Sequence, residues 1–155
     1  MKMILLYIGL PIFFGCSLSK NNQSKLENEI NFNLEIKQNL SGSYVQNTFV
    51  FVMDKFFIYE SRTTKEGQLT REKIYSRRIN ANGMSEIKRL SLTLFDLNSH
   101  YTKAELGGVH WEINLMYEGK NKQINIESYS VKEINLLFDA INKIIPNDKP
   151  AIYKY

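Results

Sequence analysis

This sequence contains very little cysteine and histidine, and both shortages restrict the chemistry open to it. Cys16 is the only cysteine among the 155 residues, so no disulfide can form within one chain. The two histidines, His100 and His110, are too few for a multi-histidine metal centre. We therefore predict no metal site and no cofactor.

The chain also lacks the short motifs that mark several enzyme classes. It has no Gly-x-Ser-x-Gly elbow, no His-Glu-x-x-His and no phosphate-binding glycine loop. Gly107 and Gly108 are adjacent, but we expect them to supply backbone freedom at the start of a strand rather than an oxyanion hole. These absences favour a non-enzymatic protein.

The apolar run of residues 3–14 is too short to cross a bilayer as a helix, which takes roughly 20 residues. It follows the positive charge of Lys2 and precedes Gly15 and a polar stretch. A short charged start, an apolar run and a small residue are the parts of a secretory signal. The N-terminus therefore predicts export.

Gly15 and Cys16 end this run, and here the chain resembles a bacterial lipoprotein precursor. In that family the signal ends in a small residue before a cysteine that is lipidated on sulfur and becomes the first mature residue. Phe13 and Phe14 depart from the family pattern, which has Leu and then a small or aliphatic residue. The resemblance implies a membrane anchor through lipid on Cys16. Since Ser17 rather than Asp follows, it also implies the outer membrane of a bacterial cell envelope.

The composition predicts three parts: a signal peptide over 1–15, a lipidated cysteine and flexible tether over 16–29, and one domain over 30–155. The tether is polar and has no sustained apolar face. About ten flexible residues of this kind have a root-mean-square reach of roughly 17 Å, which lifts a domain clear of the lipid headgroups. The remaining chain is long enough to bury a core without metals or disulfides.

Alternation of apolar and polar residues predicts strands across most of the domain. Residues 48–53 are apolar on both faces, as in a central strand, and Asp54 and Lys55 predict a tight turn after them. Lys and Arg residues at 69–79 suit an edge strand that must not pair with other chains. The predicted strands are 30–37, 48–53, 56–63, 69–79, 109–117 and 123–127.

Two helices are predicted from apolar residues at helical spacing. The first is capped by Ser85 and continues to Leu97, and the second runs from a capping box at Ser130 and Glu133 to Pro146. Together the elements predict an α+β domain with an antiparallel sheet of about six strands. The two helices pack on one face, and the order is ββββαββα.

His110 and Glu112 are candidate catalytic residues, because two positions apart on a strand their side chains share a face. They could act as a general-base pair or as two metal ligands, with His100 or Glu105 from the loop 98–108 as a third. The simpler interpretation is that they form the polar side of an amphipathic strand opposite Trp111.

The net charge of +4 is dispersed along the chain and does not by itself indicate nucleic acid. An aromatic among basic residues is what single-stranded nucleic acid needs for stacking, but an envelope address argues against that partner. Anionic lipid, polysaccharide or an acidic protein is the expected alternative to a merely solvated surface. The nearest approach to a basic patch is Arg71, Lys73, Arg77, Arg78, Lys88 and Arg89, with Tyr75 among them. The candidate binding set taken from it is Arg71, Lys73, Tyr75, Arg77 and Arg78.

A run of aromatic residues predicts core packing, because aromatic residues at period 2 are mostly buried. Any of them that face solvent together would form the best candidate interface. The run is Phe49, Phe51, Phe56, Phe57 and Tyr59.

These observations predict a lipid-anchored envelope protein whose non-enzymatic domain binds an envelope protein or a glycan. One alternative is an envelope hydrolase that uses His110 and Glu112 with a residue from the loop 98–108. Another is an inhibitor or immunity-type protein that blocks an enzyme with a protruding loop.

Overall fold

The computed structural model of the protein describes residues 32–103 and 108–154. The predicted signal peptide, Cys16, the tether, Glu105 and Gly107 lie outside these residues. The strands are β1 (Phe32–Leu40), β2 (Val45–Val52), β3 (Lys55–Thr63), β4 (Leu69–Arg78), β5 (His100–Thr102), β6 (Val109–Tyr117) and β7 (Lys120–Glu127). The helices are α1 (Ala81–Leu92), a 3-10 turn (Thr93–Asp96) and α2 (Lys132–Asn142).

All seven strands form one mixed sheet in the order β4-β3-β2-β1-β6-β7-β5. The predicted six-stranded antiparallel sheet with the order ββββαββα is therefore wrong. The added strand is β5, which lies at the edge and pairs with β7 in parallel, whereas the other pairs are antiparallel. The chain has the order ββββαβββα.

The physical reason for this error is the length of β5. Three residues are too few to show a period-2 pattern, so 98–108 was expected to be a loop throughout. The pairing depends on backbone hydrogen bonds with β7: Asn125 N donates to Ser99 O at 2.9 Å, and Lys103 N donates to Glu127 O at 3.1 Å. Such bonds do not depend on which side chains the segment carries.

One hydrophobic core lies between the sheet and the two helices. The Trp111 and Phe138 ring centroids are 5.8 Å apart, and Lys88 Nζ lies 5.6 Å from the Phe32 ring centroid, so α2 and α1 contact the same side of β6 and β1. This is the helix side of the sheet. The opposite side, which we call the outer face, carries the alternate residues of each strand.

Both helix starts differ from the prediction. Helix α1 begins four residues before Ser85, and its cap is Asn80, whose side chain accepts a 2.8 Å hydrogen bond from Gly83 N. At α2 the N-cap is Val131, and Ser130 Oγ instead accepts a hydrogen bond from Asn135 Nδ2 at 2.9 Å. The expected capping box is therefore absent from α2.

The hairpin turns use residues with positive φ. Glu118 and Gly119 have φ of 48° and 75° between β6 and β7, which is the pattern of a two-residue type I′ turn. Between β2 and β3 the turn residues are Met53 and Asp54, one position earlier than expected, and Met53 has φ of 57°. Both of these turns lie at the end of the sheet where β1 begins at Phe32, and we call this the tether end.

The segment after α2 is held against the helix side by two amide side chains. Gln38 Oε1 accepts hydrogen bonds from Tyr153 N at 2.7 Å and Trp111 Nε1 at 3.3 Å. Asn142 bonds both backbone groups of Ile152, accepting from its N and donating to its O at 2.8 Å each. Ile152 is buried, so this C-terminal segment completes the core.

Candidate functional site

The outer face is the side of the sheet that the described helices leave uncovered. Its residues are mostly polar or half-buried, in contrast to the apolar helix side. One row crosses all seven strands: Lys73, Tyr59, Thr48, Lys37, Glu112, Asn125 and His100. Two different surfaces share this face, a charged centre and an aromatic edge.

The charged centre is built around Lys37 on β1. Lys37 Nζ donates to Glu112 Oε1 at 2.9 Å and lies 3.4 Å from Glu35 Oε1. Asn114 Nδ2 also donates to Glu112 Oε1, at 2.8 Å. The hydrogen bonds from Asn114 and Lys37 lower the pKa of Glu112, and the bond to Glu112 raises the pKa of Lys37. Glu112 is therefore held as a carboxylate near neutral pH.

His110 shares the outer face with Glu112, as its position on β6 predicts. Its cross-strand neighbours are Asn39 and Glu127, and it borders a depression of about 190 Å³ that Ser41 and Ser128 also line. Among the described residues, no hydrogen bond joins His110 to a hydroxyl or a carboxylate. The geometry supplies no nucleophile and base in contact.

His100 lies away from His110 and Glu112. It is on β5, opposite Asn125, and β7 separates it from β6. Two strand spacings amount to about 10 Å, which is too far for a shared ligand. Within 32–103 and 108–154, no three His, Cys, Asp or Glu side chains gather closely enough to hold a metal ion.

The sheet divides the five candidate basic-patch residues between its two sides. Arg71 and Lys73 lie on the outer face, opposite Ser61 and Tyr59. Tyr75 packs edge-on against Phe56 on the helix side at 6.2 Å, and Arg77 Nη1 donates to Ile144 O at 3.2 Å. Arg78 pairs with Asp54 at 3.3 Å. Strand alternation, together with the irregular pairing at Ile58 and Tyr59, causes this division.

The aromatic run divides in the same way. Phe49, Phe51 and Phe56 are buried in the core, whereas Phe57 and Tyr59 lie half-buried on the outer face with ring centroids 6.2 Å apart. Arg71 Cζ lies 4.4 Å from the Tyr59 centroid, and Lys73 Nζ lies 5.8 Å from that of Phe57. Both distances are within the range of cation–π contacts.

Two large exposed side chains extend this cluster to the end of the sheet opposite the tether end, which we call the far end. Tyr44 is 72% exposed and Leu69 is 70% exposed. Thr63 N donates to Tyr44 O at 2.9 Å, and Thr63 pairs with Leu69, so these two residues lie on either side of Thr63. We call the whole surface the Tyr59 patch: Tyr44, Phe57, Tyr59, Leu69, Arg71 and Lys73.

Sequence reasoning missed Tyr44 and Leu69. Each stands next to a turn and outside the apolar alternation that marked the strands. The spacing of Leu69, Arg71 and Lys73, which share one side of β4, was the available signal. Tyr44 carries no such signal, because its neighbours come from β3 and β4.

A second depression on the outer face has a volume of about 480 Å³ and lies toward the tether end. Glu35, Met116 and four amides line it: Asn33, Asn114, Asn121 and Gln123. Among the described residues, the side chains of Asn33, Asn121 and Gln123 make no hydrogen bond. Each therefore offers both a donor and an acceptor to a polar ligand.

No protein-family model matches this chain, and none of the curated proteins matches it significantly. In the described part of the chain, no helix is long and apolar enough to cross a membrane. A function must therefore be inferred from the chain's own residues.

Proposed function

We propose that this chain is a lipid-anchored protein of the bacterial cell envelope that binds another protein through the Tyr59 patch. The support for the anchor is the pair Gly15 and Cys16 at the end of an apolar run. The support for the binding role is the exposure of apolar and aromatic side chains on the outer face. Catalysis has weaker support, because His110 and Glu112 are not hydrogen-bonded as a catalytic pair.

The observation that carries the proposal is the exposure of Tyr44 and Leu69 beside the paired Tyr59 and Arg71. Tyr and Arg are enriched in the energetic centres of protein interfaces, where they combine a large contact area with directed hydrogen bonds. An exposed leucine favours a protein partner over a glycan, because it offers neither a stacking face nor a hydrogen bond to a sugar. The Tyr59 patch therefore fits a protein with a complementary apolar pocket.

The positive charge of the Tyr59 patch indicates which kind of partner protein it would bind. Arg71 and Lys73 border the aromatic rings, and with Tyr59 they line an open depression of about 470 Å³. Arg can bind a carboxylate through two parallel hydrogen bonds while its plane still covers an aromatic ring. An acidic surface on the partner would satisfy both cations, so we propose an acidic partner.

The anchor is tested by metabolic labelling with a clickable fatty acid, comparing the native chain with Cys16→Ala. We expect label on the native chain alone, with the variant unprocessed or released from membranes. If neither protein carries label, the lipid anchor is wrong, and the binding role of the Tyr59 patch has to be judged separately.

The binding surface is tested by placing a photo-crosslinking amino acid at Tyr44 in cells. We expect one defined crosslinked partner, and Arg71→Glu should lower its yield at least about tenfold, the effect of losing one interface residue of about 1.4 kcal/mol. The matched control places the crosslinker at Leu136, an exposed apolar position on α2.

Two kinds of result would change the proposal. Equal crosslinking from Tyr44 and Leu136, or no effect of Arg71→Glu in a normally folded protein, would contradict the proposed surface. A crosslinked enzyme that the chain inhibits stoichiometrically would identify the binding role as inhibition.

A further inference from the structure

One row of outer-face side chains crosses six strands at the tether end. From the strand register it consists of Arg78, Lys55, Val52, Asn33, Met116 and Asn121. Val52, Met116 and the adjacent turn residue Met53 are between 37% and 42% exposed. The row therefore combines apolar side chains with cations and amides along a single edge of the domain.

The cations of this edge suit an anionic surface. Lys55 and Lys120 are exposed and form no ion pair among the described residues. Arg78 is paired with Asp54, and Glu118 in the β6–β7 turn is a second carboxylate that the described residues place at this end. A lysine near an anionic bilayer strengthens membrane binding about fivefold, and its long stem lets the charge reach the headgroups.

The amides and methionines of the row also suit a lipid interface. Asn33 and Asn121 make no side-chain hydrogen bond among the described residues and can donate to phosphate and ester oxygens. Met53 and Met116 are unbranched and flexible, so they fit an irregular apolar boundary. The one carboxylate in the adjoining depression, Glu35, lies 3.4 Å from Lys37 Nζ and is thus partly neutralised within the protein.

The length of chain before β1 decides which end of the domain lies nearer to the anchor. Fifteen residues, 17–31, separate Cys16 from Phe32. A flexible chain of that length has a root-mean-square reach of about 20 Å. The nine residues of β1 span about 30 Å, which exceeds this root-mean-square distance, so the tether end of the sheet lies nearer to the anchor on average than the far end does.

We infer that the tether end of the domain rests on an anionic phospholipid surface, with Val52, Met53 and Met116 at the interface and Lys55 and Lys120 over the headgroups. This inference rests on the proposed function in one respect, the anchor at the N-terminus. The Tyr59 patch extends to Tyr44 and Leu69 at the other end of the sheet, so this orientation presents part of it away from the membrane.

The test measures orientation with the full chain and does not depend on lipidation. Cys16→Ala carrying an N-terminal hexahistidine tag is held on vesicles by a nickel-chelating lipid. A single cysteine is introduced as Met53→Cys or as Tyr44→Cys and labelled with a fluorophore, and the vesicles contain a headgroup-attached quencher. We expect strong quenching at position 53 and weak quenching at 44 when the vesicles contain phosphatidylglycerol, and a smaller difference in phosphatidylcholine alone.

Charge variants make the test specific. Lys55→Gln with Lys120→Gln should lower the ratio of lipid-contacting to free orientations by roughly 25-fold, since each lysine contributes about fivefold. The matched control is Lys65→Gln with Lys132→Gln, which removes the same charge from exposed positions toward the far end, in the β3–β4 turn and at the start of α2, and should leave quenching unchanged. Equal quenching at 53 and 44, or equal effects of both double variants, would overturn the inference.

The two tests can fail separately. If the clickable label is absent but position 53 is quenched, the lipid anchor is wrong and the membrane-facing end is right. If the label is present but 53 and 44 are quenched equally, the anchor is right and the orientation is wrong.

Discussion

Glu112 illustrates how neighbouring side chains change the role expected of a residue. From sequence it was a candidate general base, but in the fold its carboxylate accepts hydrogen bonds from Asn114 and Lys37. These bonds stabilise the ionised form and lower its pKa, whereas catalysis by proton transfer at neutral pH favours a carboxyl pKa that is raised. The residue is better suited to organising the outer face.

The lowered pKa of Glu112 predicts a pH-dependent contribution to stability. Because the folded-state pKa lies below the unfolded value, the contribution is complete above the unfolded pKa and is lost as the pH falls through the folded pKa. Glu112→Gln should lower the free energy of unfolding by about 0.5–1 kcal/mol at pH 7, given partial solvent exposure. Urea titrations should show this difference vanishing in acid.

Asn114 provides the control for that prediction, because its hydrogen bond is the largest cause of the shift. In an Asn114→Ala background, Glu112→Gln should have a smaller and less pH-dependent effect. If Glu112→Gln in the otherwise native chain lowers the free energy of unfolding equally at neutral and acidic pH, then Lys37 and Asn114 do not stabilise the ionised carboxylate.

At the scale of elements, the start of α1 shows why caps are hard to predict. The sequence pattern predicted Ser85 as the cap, although Asn80 is an equally suitable capping residue. In the structure the helix begins at Ala81, directly after Asn80. Buried residues lie on both sides of this cap, Ile79 before it and Met84 in the first turn of the helix. Ser85 is left exposed in the first turns of α1.

Substitution of these two residues distinguishes the caps. Asn80→Ala should destabilise the protein by about 1 kcal/mol, because Gly83 N loses its acceptor. Ser85→Ala should be neutral or stabilising by a few tenths of a kcal/mol, since alanine is the better helix former. Chemical denaturation of the two variants checks this, and a larger loss for Ser85→Ala would contradict the assigned cap.

At the scale of the whole molecule, Gln38 connects three parts of the chain that are far apart in sequence. It is 2% exposed and bonds Trp111 on β6, Ala151 and Tyr153. An amide in this position can donate and accept at the same time, which a purely apolar residue cannot. The attachment of the C-terminal segment to the sheet therefore depends on one buried glutamine.

Replacing Gln38 by methionine should destabilise the fold by about 1.5–4.5 kcal/mol, because three hydrogen bonds are lost at roughly 0.5–1.5 kcal/mol each. Amide hydrogen exchange at Tyr153 should also accelerate, since its acceptor is removed. Gln46→Met is the matched control, because Gln46 lies on the outer face and its side chain makes no hydrogen bond among the described residues. Its effect should stay within about 0.5 kcal/mol, and equal losses for both variants would refute the role of Gln38.

The sequence by itself determined most of the strands, though not β5, and showed which side of the strongly alternating strands is apolar. The predictions for β1, β6, β7 and α2 are confirmed to within a few residues, because side-chain direction in a strand or helix depends on local backbone geometry. It also placed His110 and Glu112 correctly on one face. These properties need only near neighbours in the chain.

Only the tertiary structure decided which strands lie side by side. The parallel pairing of β5, the separation of Arg71 and Lys73 from Tyr75 and Arg77, and the clustering of Tyr44 with Leu69 all depend on strand register. So does the contact of Gln38 with Tyr153, 115 residues away. Within a hairpin the turn fixes the register, but between strands distant in sequence the register comes from packing and hydrogen bonds that local patterns do not specify.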